Sequence, residues 1–191
     1  GTTRWADAVQ GITRRLARQR IPYKPSILAD CSGMAHRVLR ELGSRCSETK
    51  RPPVVVARRA RDLARWYEQE GLLTHIPDLE AADAALEVGA LAFYLSPGRR
   101  KGGLDNVFHI GIVVDVERDE AGRVQRYSLF HGRRPGIVAS ITKWHTRDAR
   151  VPLGNGNERL IAIAVPHADP DDGGMVVADD WTDDDHDRML D

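Results

Sequence analysis

The sequence has no long uncharged apolar run, only two cysteines and few aromatic residues, and each shortage excludes a class of protein. No stretch of about 18 apolar residues exists, so we expect no membrane-spanning helix. Aromatic residues make up 6% of the 191 residues, too few for a base-stacking surface, so no nucleic-acid partner is expected. Cys31 and Cys46 lie at neither a CxxC nor a zinc spacing, and a predicted helix separates them. We therefore expect neither a metal nor a disulfide.

The chain has the composition of one globular domain with an acidic appendage. Hydrophobic residues make up 41% and charged residues 29%, which is typical of a soluble fold of this length. The net charge of zero hides an asymmetry, because residues 166–191 hold ten Asp and one basic residue, whereas residues 1–165 hold 27 basic and 18 acidic residues. We expect a single domain over 1–165 and a disordered tail over 166–191 that contacts a protein partner or the basic body. The first five residues contain no apolar signal region.

Hydrophobic periodicity predicts helices first and strands afterwards. Helical spacing of apolar residues predicts three helices, over 3–19, 31–42 and 55–70, with Gly43 just beyond the second. Apolar and β-branched runs predict about five strands, over 89–95, 107–116, 124–131, 136–141 and 159–165. This order indicates an α+β fold, with the helices packed on one side of a mainly antiparallel sheet.

Cys31 is the first candidate for chemistry. Asp30 is a good N-cap residue, which places Cys31 in the first turn of the second predicted helix. The partial positive charge of a helix N-terminus favours the thiolate, which is the nucleophilic form of cysteine. Cys46 lies beyond the end of this helix and has no such support. His36 projects from the same helix about 140° away from Cys31, and we expect it to face solvent.

A nucleophilic cysteine needs a base and a group that orients the base, and two histidines fit these roles. His109 lies in a strand-like segment, and Gly111 beside it indicates a close approach by another group. His131 ends the following strand. A three-residue loop over 120–122 makes His131 a diagonal neighbour of His109, and a loop over 119–121 sets the two directly opposite. A two- or four-residue loop places them on opposite faces unless a bulge intervenes.

These motifs together resemble the NlpC-like cell-wall cysteine peptidases. The resemblance is carried by the sequence DCSG at a helix start, by HIGIVV on a strand and by a histidine after the next strand. It covers about residues 20–165. It implies a papain-like core in which Cys31 is the nucleophile, His109 the base and His131 the third residue. The family also has a tyrosine upstream of the cysteine, and Tyr23 is the candidate here, although the glycines that usually accompany that tyrosine are replaced by residues 24–26.

Further residues are candidates for substrate contacts. Asp30 and Ser32 flank the nucleophile, and with Tyr23 they are candidates for binding the oxyanion or positioning the substrate. The basic residues Arg99 and Arg100 lie in a Gly-rich loop before His109, and Arg133 follows His131. All three are candidates for holding a carboxylate of a wall peptide. Two departures from the family bear on the substrate: Gly89-Ala90-Leu91 replaces Gly-Asp-Leu, and residues 45–87 match poorly.

The expected function is hydrolysis of an amide bond in peptidoglycan stem peptides, between D-Glu and the diamino acid, without a cofactor. The resemblance implies a bacterial thiol protease that acts on the cell wall, in the periplasm or after secretion. One alternative keeps the Cys/His/His site in a secreted effector toxin, an amidase or an acyltransferase that acts on another amide. The other alternative is a catalytically inactive binding module on the same fold.

Overall fold

The computed structural model describes residues 4–146 and 157–167, which form an α+β fold. The helices of this part are α1 (Arg4–Arg18), α2 (Cys31–Arg45), α3 (Ala60–Gln69) and α4 (Leu79–Ala85). The strands are β1 (Leu73–His75), β2 (Leu91–Leu95), β3 (Val107–Arg118), β4 (Val124–His131), β5 (Ser140–His145) and β6 (Leu160–Ala164). Short 3-10 turns cover Pro25–Ile27 and Leu104–Asn106. None of the helices in these ranges is long and apolar enough to cross a membrane.

The strands form one antiparallel sheet in the order β1-β6-β2-β3-β4-β5. Alternate residues of β3 point to its two faces, as the pleat of a strand requires. Ile110 and Ile112 pack into the larger core, beneath α1, α2 and α3, together with Leu39 and Leu63. The other face carries a second core around Val113, in which Ala82 of α4 takes part. The expectation of helices on one side alone is therefore wrong, because the short helix α4 covers the opposite face.

The α+β fold class is confirmed, and the element boundaries differ where local chemistry overrides periodicity. The third helix begins at Ala60, not near residue 55, because Arg59 is its N-cap and residues 50–59 after the proline pair are not helical. Helix α2 continues through Gly43, since the Cys46 N–H still bonds to the Leu42 carbonyl at 2.8 Å. Strand β5 begins at Ser140 instead of 136. Helix α4 and strand β1 were not predicted, which makes six strands in the described ranges instead of about five.

The proposed tail falls almost wholly outside the described residues. Of its members, Pro166 and His167 are described, and both pack on the domain. The Lys50 N–H donates to the Pro166 carbonyl at 2.7 Å, and Thr49 forms a β-bridge with His167.

Candidate active site

The start of α2 is fixed by Asp30. Its Oδ1 accepts the N–H of Gly33 at 3.0 Å, and its carbonyl accepts the N–H of Met34 at 2.9 Å. The predicted N-cap is therefore confirmed, and Cys31 is the first residue of the helix. A Cβ on Gly33 would lie 2.4 Å from the carbonyl carbon of Leu28, which explains in steric terms why the fourth residue of the DCSG motif is glycine.

Arg58 holds this helix start against the preceding turn. Its Nη1 donates to Ser32 Oγ at 2.8 Å, and its Nη2 donates to Asp30 Oδ1 and to the Pro25 carbonyl, each at 2.9 Å. Asp30 and Ser32 are thus bound to one guanidinium group and position the backbone around Cys31. No sequence pattern indicates this role, because the predicted helix over 55–70 includes Arg58 and its first turns do not form.

The Cys31 thiol is protonated at neutral pH in the resting site. The residue keeps partial exposure, but burial raises the pKa of its thiol to about 11. Backbone hydrogen bonds with Ile110 and Ser32 act in the opposite direction, and the negative charge of Asp30 adds to the increase in pKa. The predicted effect of the helix start on the thiolate is outweighed by desolvation in this resting site, and the thiol is the stable form.

His109 lies in β3 opposite Tyr94 of β2, and its ring centroid is 5.9 Å from that of Tyr94. It is 3% exposed, and burial together with the charge of Arg133 lowers its pKa to about 3. The ring is therefore neutral at neutral pH and has one nitrogen with a lone pair. Among the described residues, no hydrogen bond joins this ring to the thiol of Cys31. His109 lies on the face of β3 opposite Ile110, and from that face it reaches the cavity that Cys31 also lines.

His131 contacts His109 directly. Its Nδ1 lies 2.7 Å from His109 Nε2, and the two ring centroids are 4.9 Å apart in an edge-to-face arrangement. Burial lowers the pKa of His131 well below its usual value, with further decreases from His109 and Arg133. The contact with His131 leaves Nδ1 as the nitrogen of His109 that is available for chemistry.

The register that brings the histidines together is the alternative with the loop over 120–122, and the loop over 119–121 is not formed. The Asp119 N–H donates to the Arg123 carbonyl at 2.9 Å, and Ile112 pairs with Phe130 at the other end of the hairpin. Two register shifts lie between these points and cancel, so the diagonal relation of His109 and His131 is retained. Gly111 leaves room for the side chain of Leu129, whose Cγ would lie 2.4 Å from a Cβ at position 111.

Cys31 and His109 line the same cavity, which has a volume of about 260 Å³. Tyr23 also lines it, and the pKa of its phenol is raised by burial and then by the charges of Cys31 and Asp30. Phe108 is 59% exposed on the cavity wall and offers an apolar contact. The remaining walls carry more positive than negative charge, because three arginines line the cavity and its one carboxylate, Asp30, is paired with Arg58. These arginines are Arg59, Arg61 and Arg133.

The structure brings together most of the predicted residues and leaves out two. Tyr23, Asp30, Cys31, Ser32, His109 and Arg133 all line the cavity. Arg100 instead lines a separate cavity of about 410 Å³ with His75 and Arg159, and Arg99 donates to the Lys101 carbonyl within its loop at 2.8 Å. Arg99 and Arg100 are thus not part of the cavity around Cys31. Arg59 and Arg61 were missed, and a basic run next to a helix start gave no signal that distinguished them.

A second cysteine–histidine pair lies at the opposite end of α2. Cys46 is fully buried, and its Sγ lies 2.9 Å from Nε2 of His167, whose ring packs against Trp5. Cys46 borders a larger cavity of about 760 Å³, which Arg40 and Arg51 also line. Cys46 is the C-cap of α2 and does not line the cavity around Cys31, so this pair is the poorer candidate for the nucleophile.

The expectation that His36 faces solvent is wrong. His36 is 1% exposed, and its Nε2 lies 2.7 Å from the carbonyl oxygen of Ala57. The segment before α3 covers this side of α2, which periodicity within α2 alone does not reveal.

Comparisons with protein-family models, with curated proteins and with solved structures found no match to this chain. Within the described ranges, no group of three or more His, Cys, Asp or Glu side chains is placed to hold a metal ion.

Proposed function

We propose that this protein is a cysteine hydrolase of amide bonds, built on a papain-like core. The observation that supports it best is the shared cavity: a cysteine at a helix N-terminus and a neutral histidine both line it, and a second histidine contacts the first ring at 2.7 Å. Nucleophile, base and orienting group are the three parts that acyl transfer by a cysteine requires.

In the proposed mechanism the proton of Cys31 Sγ moves to Nδ1 of His109, directly or through one water molecule, as sulfur attacks the carbonyl carbon. Because both groups are neutral at rest, the charge develops only with substrate in place. The backbone N–H of Cys31 belongs to the first turn of α2, where N–H groups have no partner within the helix, and it donates to the oxyanion. The Tyr23 hydroxyl on the cavity wall is a second donor.

Collapse of the tetrahedral intermediate breaks the C–N bond, and His109 returns its proton to the leaving amine. Water then attacks the thioester with His109 as the base, which releases the acid and restores the thiol. His131 keeps the His109 ring in one orientation through both steps.

The proposed substrate is a peptidoglycan stem peptide cleaved between D-Glu and the diamino acid, as the motif resemblance implies. Guanidinium groups on the cavity wall support a substrate that carries carboxylates, since an arginine binds a carboxylate with two parallel hydrogen bonds. The proposed place of action is the cell wall, in the periplasm or after secretion. An effector toxin, an amidase or an acyltransferase would use the same three side chains on another amide.

A second candidate is a binding module without turnover. Two observations favour it: burial keeps the thiol protonated, and no hydrogen bond joins Cys31 to His109 among the described residues. Slow alkylation of Cys31 at neutral pH is expected of either candidate, so turnover is the measurement that separates them.

The decisive experiment is digestion of purified muropeptides, followed by mass spectrometry of the new ends. We expect new ends at the D-Glu to diamino acid bond with the native protein and none with Cys31→Ala. Alanine is a good helix former, so this variant should keep its circular dichroism spectrum and its unfolding midpoint. Cys46→Ala is the matched control and should retain turnover.

Each other outcome contradicts a defined part of the proposal. Cleavage of a different amide bond overturns the substrate assignment and keeps the chemistry. Muropeptide binding with no cleavage by any variant overturns the hydrolase and supports the binding module. Retained cleavage by Cys31→Ala removes Cys31 from the mechanism.

A further inference from the structure

The hydrogen-bonded pair of histidines continues into β5. In the register of β4 and β5, His131 pairs with Ser140 and Leu129 pairs with Thr142. Thr142 is two residues after Ser140, so it lies on the same face of the sheet as His131 and is its diagonal neighbour. His131 Nε2 is 2.9 Å from Thr142 Oγ1, and Trp144 Nε1 donates to the same oxygen at 2.7 Å. Four side chains on three adjacent strands thus form one chain of polar contacts that ends at His109.

The outer end of this chain is held in place. The Arg133 guanidinium carbon lies 5.8 Å from the centre of the Trp144 ring, a distance at which a cation is attracted to an aromatic face. Arg133 also lines the cavity around Cys31. The indole ring thus contacts a residue of the cavity wall, while its N–H donates to Thr142.

Counting donors and acceptors leaves two arrangements of protons. An indole N–H only donates, so Thr142 Oγ1 accepts from Trp144 in both. In the first arrangement Thr142 also accepts from His131 Nε2–H, His131 Nδ1 accepts from His109 Nε2–H, and His109 Nδ1 has a lone pair. In the second the threonine hydroxyl donates to His131, every proton shifts by one position, and His109 Nδ1 carries a hydrogen.

Only the first arrangement lets His109 accept a proton from a thiol. Thr142 has two lone pairs, which are then used by Trp144 and His131, and its own hydroxyl hydrogen turns to solvent, since the residue is half-buried. Burial keeps both rings neutral, so neither ring has a second N–H that would remove the choice.

We propose that Thr142 and Trp144 are positioning residues, which hold His131 and His109 as their Nε2–H tautomers and so leave His109 Nδ1 as the base. The choice of the first arrangement and its catalytic consequence both rest on the proposed function, because Trp144 donates to Thr142 in either arrangement. The tautomer itself is a property of the resting protein and is measured without substrate.

The first test is the tautomeric state of the two rings at neutral pH, from long-range ¹H–¹⁵N correlation spectra of protein labelled in histidine. We expect protonation at Nε2 in both His109 and His131. Protonation at Nδ1 of His109 in the native protein overturns the proposal, whether or not the protein hydrolyses an amide.

The second test removes the acceptor. Thr142→Val retains shape and deletes the hydroxyl, and we expect a mixture of tautomers at His109 and a kcat lower by about 10- to 100-fold, with KM changed by less than about twofold. This loss is smaller than the roughly 10⁴-fold loss known when a catalytic histidine is held in the wrong tautomer. Thr142→Ser should restore both the spectrum and kcat, and Trp144→Phe should give an intermediate result.

Ser140→Ala is the matched control, because it deletes a hydroxyl on the same strand and face opposite His131. It should leave the tautomers and kcat unchanged. If Thr142→Val leaves the native tautomer and kcat intact, Thr142 has no positioning role and the hydrolase proposal stands. If the native protein has no turnover but Thr142→Val still shifts the tautomer, the hydrolase proposal fails and the hydrogen-bond assignment stands.

Discussion

Cys31 and His109 are neutral in the resting site because burial acts on each of them in the direction that removes charge. An unpaired charge in a low-dielectric site is costly, so the acid has a raised pKa and the base a lowered one. The pKa of the Cys31 thiol is about 11 and that of the His109 imidazole is about 3. Proton transfer from the thiol to the imidazole is therefore unfavourable until the substrate supplies compensating interactions. A site of this kind has little reactivity toward adventitious electrophiles.

The charge of Arg133 helps to keep His109 neutral, and this effect is measurable. After burial, its charge is the cause that lowers the pKa of His109. We expect Arg133→Gln to raise the pKa of His109 and so to move the acid limb of the kcat/KM profile to higher pH, because the base must be neutral to act. In the native protein the acid limb of the kcat/KM profile should lie well below pH 6.5. A profile of kcat/KM between pH 3 and 8 on a muropeptide checks both statements.

The control for this change is Arg59→Gln, since Arg59 lines the same cavity but is paired with Asp62 at 3.1 Å and is not a cause of the His109 shift. It should leave the acid limb in place. An unmoved limb in Arg133→Gln, or a native limb near pH 6.5, would show that Arg133 does not act on the base.

The parts of the site that sequence reasoning found are those fixed by short motifs. Asp30 and Cys31 were predictable because an N-cap and the first helical turn are local features. Arg58 was not, because its three hydrogen bonds join residues 26 to 33 positions away in the chain. Contacts of that range depend on the path of residues 50–59, and a pair of prolines leaves that path open.

At the scale of elements, the site depends on how closely the end of β4 approaches the start of α2. A Cβ on Gly132 would lie 2.8 Å from the Asp30 carbonyl oxygen and 2.9 Å from its carbon. Both are backbone atoms, so they cannot rotate away as the end of a flexible side chain does. Glycine at this position thus lets the strand that carries His131 pack against the helix that carries Cys31.

We expect Gly132→Ala to separate these elements. Overpacking of this kind typically costs about 1–3 kcal/mol, and kcat/KM should fall because Cys31 moves relative to the histidine pair. Urea unfolding and turnover measure the two effects. Gly103→Ala is the control, since a Cβ there meets nothing within 4 Å and its φ is −104°. Unchanged stability and turnover in Gly132→Ala would show that the contact between β4 and α2 is not tight.

Helices and strands were predictable where the sequence pattern that indicates them lies within the element itself. The hairpin of β3 and β4 has strong strand composition on both sides of a turn, but its register left alternatives, and two register shifts that no pattern indicates cancel along it. Helix α4 spans seven residues and β1 three, which is too short for periodicity to build up. The burial of His36 likewise depends on a neighbouring segment and not on its own helix.

For the molecule as a whole, buried neutral histidines link stability to pH. His36, His109 and His131 are each buried, and burial is the first cause that lowers the pKa of each. All three remain neutral in the folded protein at a pH where the unfolded chain binds protons. The unfolded state therefore gains protons relative to the folded state as the pH falls below the usual histidine pKa of 6.5.

We expect the free energy of unfolding to decrease as the pH is lowered from about 6.5 toward 4, by at most about 1.4 kcal/mol per pH unit for each of these histidines. His36→Gln, which lies outside the candidate site and can still donate to the Ala57 carbonyl, should make this dependence less steep. Urea unfolding at half-unit steps of pH measures the slopes. Equal slopes in the native protein and in His36→Gln would mean that His36 binds its proton over the same pH range in the folded and unfolded states, which its burial against Ala57 opposes.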